Sequence, residues 1–117
     1  DVVAEVLVSV RRDAPVGWLI TLGAGGIYTE LWRDTVCLLA PTTDAEIRTA
    51  LASLRIAPLL NGYRGKPAGD LDALVALTQK VIALTLNEGL VEVELNPVLV
   101  TKTSAVAVDA LMIAESK

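Results

Sequence analysis

Glu94 and Asn96, with Asp109 further along, are the side chains whose type and spacing could hold a cation. They lie in an apolar, β-prone run, residues 90–111. Strand alternation places Glu92, Glu94 and Asn96 on one face and Val91, Val93 and Leu95 on the other. A second strand is predicted at 105–111, with Ala105, Ala107 and Asp109 sharing a face. A tight turn at 101–104 would pair Val100 with Ala105, and the same register sets Asn96 opposite Asp109. Facing Cβ atoms of antiparallel strands are about 5 Å apart. Two oxygen-bearing side chains at that spacing could share one hard cation such as magnesium, whose oxygen ligands sit at about 2.1 Å. The turn lacks the Asn-Gly or Asp-Gly pair that fixes a two-residue hairpin loop. Pro97 removes a backbone donor, which suits an edge or an interruption of the ladder. On pattern alone, an ordinary sheet with one polar face stays open beside a metal or substrate site.

Gly23-Ala24-Gly25-Gly26 is the second candidate. Its glycines let backbone approach a ligand and can aim N–H groups at an anion. No Lys-Ser or Lys-Thr follows, so this is not a phosphate-binding P-loop, and the dinucleotide fingerprint is absent too. A plain tight turn is the other reading. Glu30, just beyond, reads either as a solvated strand carboxylate or as a ligand-facing one. Arg64 and Lys66 stand in an irregular segment, residues 61–69, that could meet phosphate, another part of the protein, or only solvent.

The elements that position these groups follow from periodicity. Residues 2–10 read as a strand, with Val6, Val8 and Val10 on one face and Glu5, Leu7 and Ser9 on the other. Arg11-Arg12-Asp13 marks its polar end, and residues 14–17 form a hairpin turn into a strand at 18–22. Residues 27–31 resume an apolar pattern, and 35–40 form a further strand ending at Pro41. Thr43 and Glu46 fit a capping box. The stripe Ile47, Ala50, Leu51 and Leu54 follows, in a helix ending near Arg55 ahead of Pro58. Asp70 caps a second helix whose buried stripe is Leu74, Leu77, Val81 and Leu84, with Leu71, Ala73 and Ile82 in support. Asn87-Glu88-Gly89 stops it. The expected fold is α+β: one mostly antiparallel sheet covered on one face by two helices, the other face forming a cleft wall.

Composition narrows the function. The chain has 117 residues, 53% hydrophobic and 21% charged, which fits one globular domain. It has no Phe, so the core must be Leu, Val, Ile and Ala. A formal net charge of -4 argues against a nucleic-acid surface. No His is present, so this chain carries no phosphohistidine and no imidazole metal ligand. The single cysteine, Cys37, excludes an internal disulfide, suits a reducing compartment and is expected as a small core residue. No apolar run reaches the roughly 18 residues of a membrane span. The start, Asp1-Val-Val-Ala-Glu5, has neither an initiating Met nor a basic signal region, and reads as a piece of a longer chain whose missing part lies upstream.

Taken in order, several motifs carry a resemblance: Val10-Arg-Arg-Asp13, Leu22-Gly-Ala-Gly-Gly-Ile27, Leu39-Ala-Pro41, Gly62-Tyr-Arg-Gly-Lys-Pro67, Glu94-Leu-Asn-Pro-Val98 and Val108-Asp-Ala110. The chain resembles the C-terminal part of the ATP-grasp domain of nucleoside-diphosphate-forming acyl-CoA synthetases, which are related to the β subunit of succinyl-CoA synthetase. The resemblance implies an enzyme that interconverts acyl-CoA, ADP and phosphate with free acid, CoA and ATP. A histidine held elsewhere would carry the phosphoryl group. ATP and magnesium would lie between two ATP-grasp subdomains, of which this chain is the second. Asn96 and Asp109 would bind the magnesium–nucleotide complex with Glu94 beside them. Glu5 and the segment from Gly25 and Gly26 to Glu30 would line the nucleotide side. No side chain here would act as nucleophile. The implied partners are the N-terminal ATP-grasp subdomain and the CoA-binding and phosphohistidine domains, in the cytoplasm; the isolated chain would be inactive, with its half-cleft free to self-associate. One departure stands out: related sequences commonly carry Arg in the strand before Leu-Ala-Pro, where this chain has Leu38. That departure keeps a second reading open, a noncatalytic interaction or regulatory module on the same fold. An unrelated small α+β binding domain is the third, and it would separate Asn96 from Asp109.

Overall fold

The computed structural model describes residues 1–115. It is an α+β molecule with a six-stranded sheet whose strand pairs are all antiparallel. Strand β1 (Val2–Asp13) is central. On one side it pairs with β2 (Gly17–Ala24), which pairs with β3 (Thr35–Leu39). On the other it pairs with β4 (Leu90–Thr101). The far edge of β4 carries β5 (Ala105–Ala107) and then β6 (Ala110–Ala114).

The β1–β2 hairpin forms as expected, but β1 runs through Arg11 and Arg12 to Asp13, which pairs with Gly17. Charged side chains can finish a strand when they reach solvent, so the polar triplet does not end the ladder. Val6, Val8 and Val10 are fully buried beneath the helices. Leu7 and Ser9 point to the opposite face and are still buried, because β1 has neighbours on both sides.

Two long helices cover one face. Helix α2 (Asp44–Ala52) starts at the expected capping box: the Glu46 N–H donates to Thr43 Oγ1 at 3.1 Å, and the Thr43 N–H to Glu46 Oε1 at 2.8 Å. It buries Ile47, Ala50 and Leu51, and Leu54 just beyond it. It ends sooner than expected, and a one-turn helix α3 (Ala57–Leu60) restarts with Pro58 in its first turn. There a missing N–H costs nothing. The second long helix, α4 (Leu71–Asn87), is capped by Asp70, whose side chain accepts the Ala73 N–H, and stops before Gly89 at φ 68°.

The buried stripe of α4 is rotated from the expected one. Leu74 and Val81 are buried, Leu77 is only partly so, and Leu84 is exposed. Thr78 and Thr85 take the inner positions, each hydroxyl donating to the carbonyl one turn back, Leu74 and Val81. A threonine satisfied in this way can replace an aliphatic side chain in the core.

Three further expectations change. Residues 27–31 are no strand: a short helix α1 (Tyr28–Trp32) stands there, begun by Gly26 at φ 66° and closed by Arg33 at φ 48°. Glu30 is therefore a helical side chain. Cys37 is exposed, not core. The strand β3 alternates, with Val36 and Leu38 packed on the helix side and Cys37 on the open face, its Sγ 3.6 Å from Thr21 Oγ1. The strand expected at 105–111 is broken at residues 108–109 and resumes as β6. No helix among the described residues is long and apolar enough to cross a membrane.

Candidate functional site

The hairpin register is the foundation of the site. Val100 pairs with Ala105 and Val98 with Ala107, and beyond the break Leu95 pairs with Ala110. All obey one register, and the Asn96 N–H donates to the Asp109 carbonyl at 3.2 Å. Asn96 and Asp109 are thus directly opposite, as expected. What alternation alone missed is a change of phase. Leu95 and Val98 are both buried although they stand three positions apart, which simple alternation would put on opposite faces. Here β4 carries a bulge against β1, between the pairs Val8–Leu95 and Val6–Val98. A bulge sets two residues opposite one and re-aims the side chains beyond it. On the facing strand the break at 108–109 makes the matching change, so the register survives. Ala105 and Ala107 go to the covered face, while Asp109 stays with Glu94 and Asn96.

Glu94, Asn96, Asp109, Ala110 and Leu111 line a shallow pocket of about 60 Å³ on the open face. The oxygens gathered there are hard donors. Among the described residues, no three His, Cys, Asp or Glu side chains form a cluster able to cage a metal ion. The donor set therefore suits a cation that keeps water and ligand phosphates in its shell, as magnesium does, rather than an all-protein calcium cage.

Asn96 also reaches the glycine segment. The Gly26 N–H donates to Asn96 Oδ1 at 2.8 Å. Thr29 Oγ1 lies 2.9 Å from the Gly26 carbonyl and 3.3 Å from Asn96 Oδ1. Asn96 Oδ1 thus accepts from the Gly26 N–H and, at longer range, from the Thr29 hydroxyl.

The glycines face β1, Gly25 against its backbone and Gly26 against the Glu5 side chain. Gly25 is buried and its N–H donates to the Glu5 carbonyl at 2.9 Å. A Cβ on Gly25 would lie 2.6 Å from the Val6 carbonyl carbon, and one on Gly26 would lie 2.5 Å from Glu5 Oε1. So Glu5, Gly25, Gly26 and Asn96 form one packed group. Glu5 also borders a recess of about 340 Å³ with Ala24, Tyr28, Trp32 and Ile56. Glu30 is not part of the group: it is exposed on α1 and, among the described residues, makes no hydrogen bond or ion pair. Arg64 and Lys66 are exposed beside a separate recess of about 430 Å³ floored by Val2, Val3 and Leu59.

Two contributors were not legible in advance. Thr29 could have been suspected only by foreseeing the helical turn after Gly26. Asp34 is buried and accepts the N–H groups of Arg55 and Ile56 at 2.8 and 2.9 Å. It ties the end of the α1 segment to the start of α3, a link between residues far apart in sequence. Leu38, the departure from the resembled pattern, packs against the core on the helix side and does not reach the open face.

Known proteins resemble this chain in sequence and fold. A family model described as an ATP-grasp domain matches residues 2–113. The β subunit of acetate–CoA ligase (ADP-forming) II from Pyrococcus furiosus is 34% identical over 113 residues, which cover 93% of this chain and 48% of that subunit. A trans-feruloyl-CoA synthase from an unknown prokaryotic organism is 36% identical over 115 residues, covering 95% of this chain and 16% of that protein. The dinucleotide-forming acetyl-coenzyme A synthetase 1 of Ca. Korarchaeum cryptofilum, solved with coenzyme A and Mg-AMPPCP, superposes with a TM-score of 0.89 at 27% identity, covering 96% of this chain and 53% of that one. The chain thus spans about half the length of the first of these relatives.

Proposed function

This chain belongs to the ATP-grasp domain family, and on that premise we propose that it supplies one wall of a magnesium–nucleotide site in an ADP-forming acyl-CoA synthetase. The whole protein would interconvert acyl-CoA, ADP and phosphate with free acid, CoA and ATP. The phosphoryl group would travel on a histidine outside this chain, which has none. The observation that carries the reading is Asn96: it fastens the glycine segment through Gly26 and lines one pocket with Asp109 and Glu94.

Asn96 and Asp109 would hold the ion, and Glu94 would fix its hydration beside them. Magnesium, when bound, offsets phosphate charge and aligns the transferring group. The chain's own work is positioning. The Gly26–Asn96 bond presets the distance between the glycine turn and the ligand pair, so little ordering is left to nucleotide binding. Glu5 lines the same turn. Glu30 reaches the nucleotide only if α1 or an added domain brings it closer.

Kindred solved proteins support the partners. The Korarchaeum enzyme is described with its phosphohistidine segment pointing towards the nucleotide site. We assign this chain the same neighbours: an N-terminal ATP-grasp subdomain and CoA-binding and phosphohistidine domains. A single cysteine, Cys37, leaves no internal disulfide, which suits a cytoplasmic setting. Leu38 does not favour the noncatalytic alternative, since it packs away from the open face.

The test is titration of the longer protein with Mg-AMPPCP. Asn96→Ala and Asp109→Ala should each weaken binding at least tenfold, about 1.4 kcal/mol, while circular dichroism stays unchanged. Undiminished binding in both variants would remove the pair from the metal site.

A further inference from the structure

We propose that two copies of this chain join edge to edge through β6, antiparallel about a two-fold axis at Met112, into one continuous sheet. Among the described residues no strand lies beyond β6. Leu111, Met112 and Ile113 are 51%, 53% and 41% exposed. Edge strands are ordinarily blunted by Lys, Pro, a bulge or a covering helix. Ala110-Leu-Met-Ile-Ala114 carries no charge and no proline, and every residue in it is exposed.

The backbone sets the register. The Asn96 N–H donates to the Asp109 carbonyl, and the Glu115 N–H to the Gly89 carbonyl. Odd-numbered residues of this segment therefore turn their backbone groups toward β4. By alternation Ala110, Met112 and Ala114 turn theirs outward. An antiparallel copy centred on Met112 sets Met112 against its own equivalent and Ala110 against Ala114. Each such pair can exchange both of its hydrogen bonds. The same register sets Leu111 against Ile113 on the open face. Read from either end the strand runs small, large, large, large, small, so it complements itself as a two-fold interface requires. Registers centred on Leu111 or Ile113 also match donors to acceptors but leave part of the strand unpaired.

One contact opposes the pairing: Asp109 would face Glu115 of the partner copy. Arg12 holds Glu115 at 3.1 Å and offsets that repulsion. A five-residue strand pair is smaller than the roughly 1,200–2,000 Å² of a stable interface, so the dimer is weak and concentration-dependent. Because Leu111 lines the pocket with Glu94, Asn96 and Asp109, both pockets would share one face of the joined sheet. The inference rests on the edge alone and stands or falls apart from the nucleotide reading.

Sedimentation velocity on this chain, from micromolar to millimolar concentration, should show reversible dimerisation. Met112→Lys, at an exposed position, should weaken it at least tenfold without lowering the melting temperature. Facing Cα atoms of such a pair are about 5.5 Å apart, within the roughly 4.4–6.8 Å that a disulfide spans. In a Cys37→Ser background, Met112→Cys should oxidise to a covalent dimer. Ala110→Cys and Ala114→Cys should cross-link only when mixed. A monomer throughout the range overturns the proposal and leaves β6 to a strand of another chain. A dimer that survives Met112→Lys, or equal cross-linking through Ala83→Cys on α4, overturns it as well.

Discussion

Asn96 and Asp109 were legible as a pair because a hairpin register needs only the turn and a count along each strand. The turn at 101–104 closes as expected, with the Thr101 N–H donating to the Ser104 carbonyl at 2.8 Å. Asp34 was not legible, since what it caps is decided by how α3 packs. Its carboxylate is the partner of two N–H groups at a buried position. Asp34→Ala should therefore cost about 2–3 kcal/mol, and Asp34→Asn, which keeps one acceptor, clearly less, both measured by urea unfolding. Gly26 offers a second test. Its φ of 66° suits glycine, and a Cβ would lie 2.5 Å from Glu5 Oε1. Gly26→Ala should cost about 1–2 kcal/mol in backbone strain alone. Adding Glu5→Ala relieves the crowding but not the strain, so the double variant should recover only part of the loss. Full recovery would show that crowding, not φ, is what the glycine avoids.

At the scale of elements, the strands and the two long helices could be read from period and caps, whereas their faces could not always. The α4 stripe rotates because Thr78 and Thr85 satisfy their hydroxyls within the helix. Hydropathy ranks such residues as surface. Cys37 was misplaced for a related reason: an edge strand can carry apolar residues on both faces, so an apolar run does not say which is inward. The glycine segment followed by Tyr-Thr-Glu-Leu-Trp looks β-prone, and only the left-handed residues at either end make it a helical turn. The start of α2 yields a pH prediction. The Thr43 backbone N–H, and then the Thr43 hydroxyl, hold the Glu46 carboxyl below its ordinary value of 4.5. A carboxyl depressed in the folded state stabilises it above the unfolded pKa, and that contribution is lost as pH falls through the folded value. The difference in melting temperature between the parent chain and Glu46→Gln should be constant above about pH 5 and shrink toward zero in more acid solution. A difference that grows with acid would reverse the assignment.

For the whole molecule, the uneven cover of the sheet is the informative feature. Helices α2 and α4 seal one face over a core built without a single Phe. Around the start of β1, by contrast, Val2, Ile27, Tyr28, Leu31, Trp32, Leu59 and Tyr63 all stay exposed. Tyr28 and Trp32 stack at 4.3 Å beside the recess that Glu5 borders. Exposed apolar ground of this extent marks an interaction surface more often than it marks a finished exterior. This one adjoins the glycine turn, and the chain is about half the length of its first relative. Its most exposed members, Ile27 and Leu31, bury too little area to add much to the stability of this chain standing alone. Ile27 and Leu31 are 81% and 72% exposed. Changing both to Lys should leave unfolding free energy within about 0.5 kcal/mol and lower the binding of a hydrophobic dye. Dimerisation through β6 should be unaffected, because α1 lies on the β2 side of the sheet and β6 on the far side of β4. A loss of several degrees in melting temperature would instead make α1 part of the core, and the surface around β1 would no longer be free for another domain.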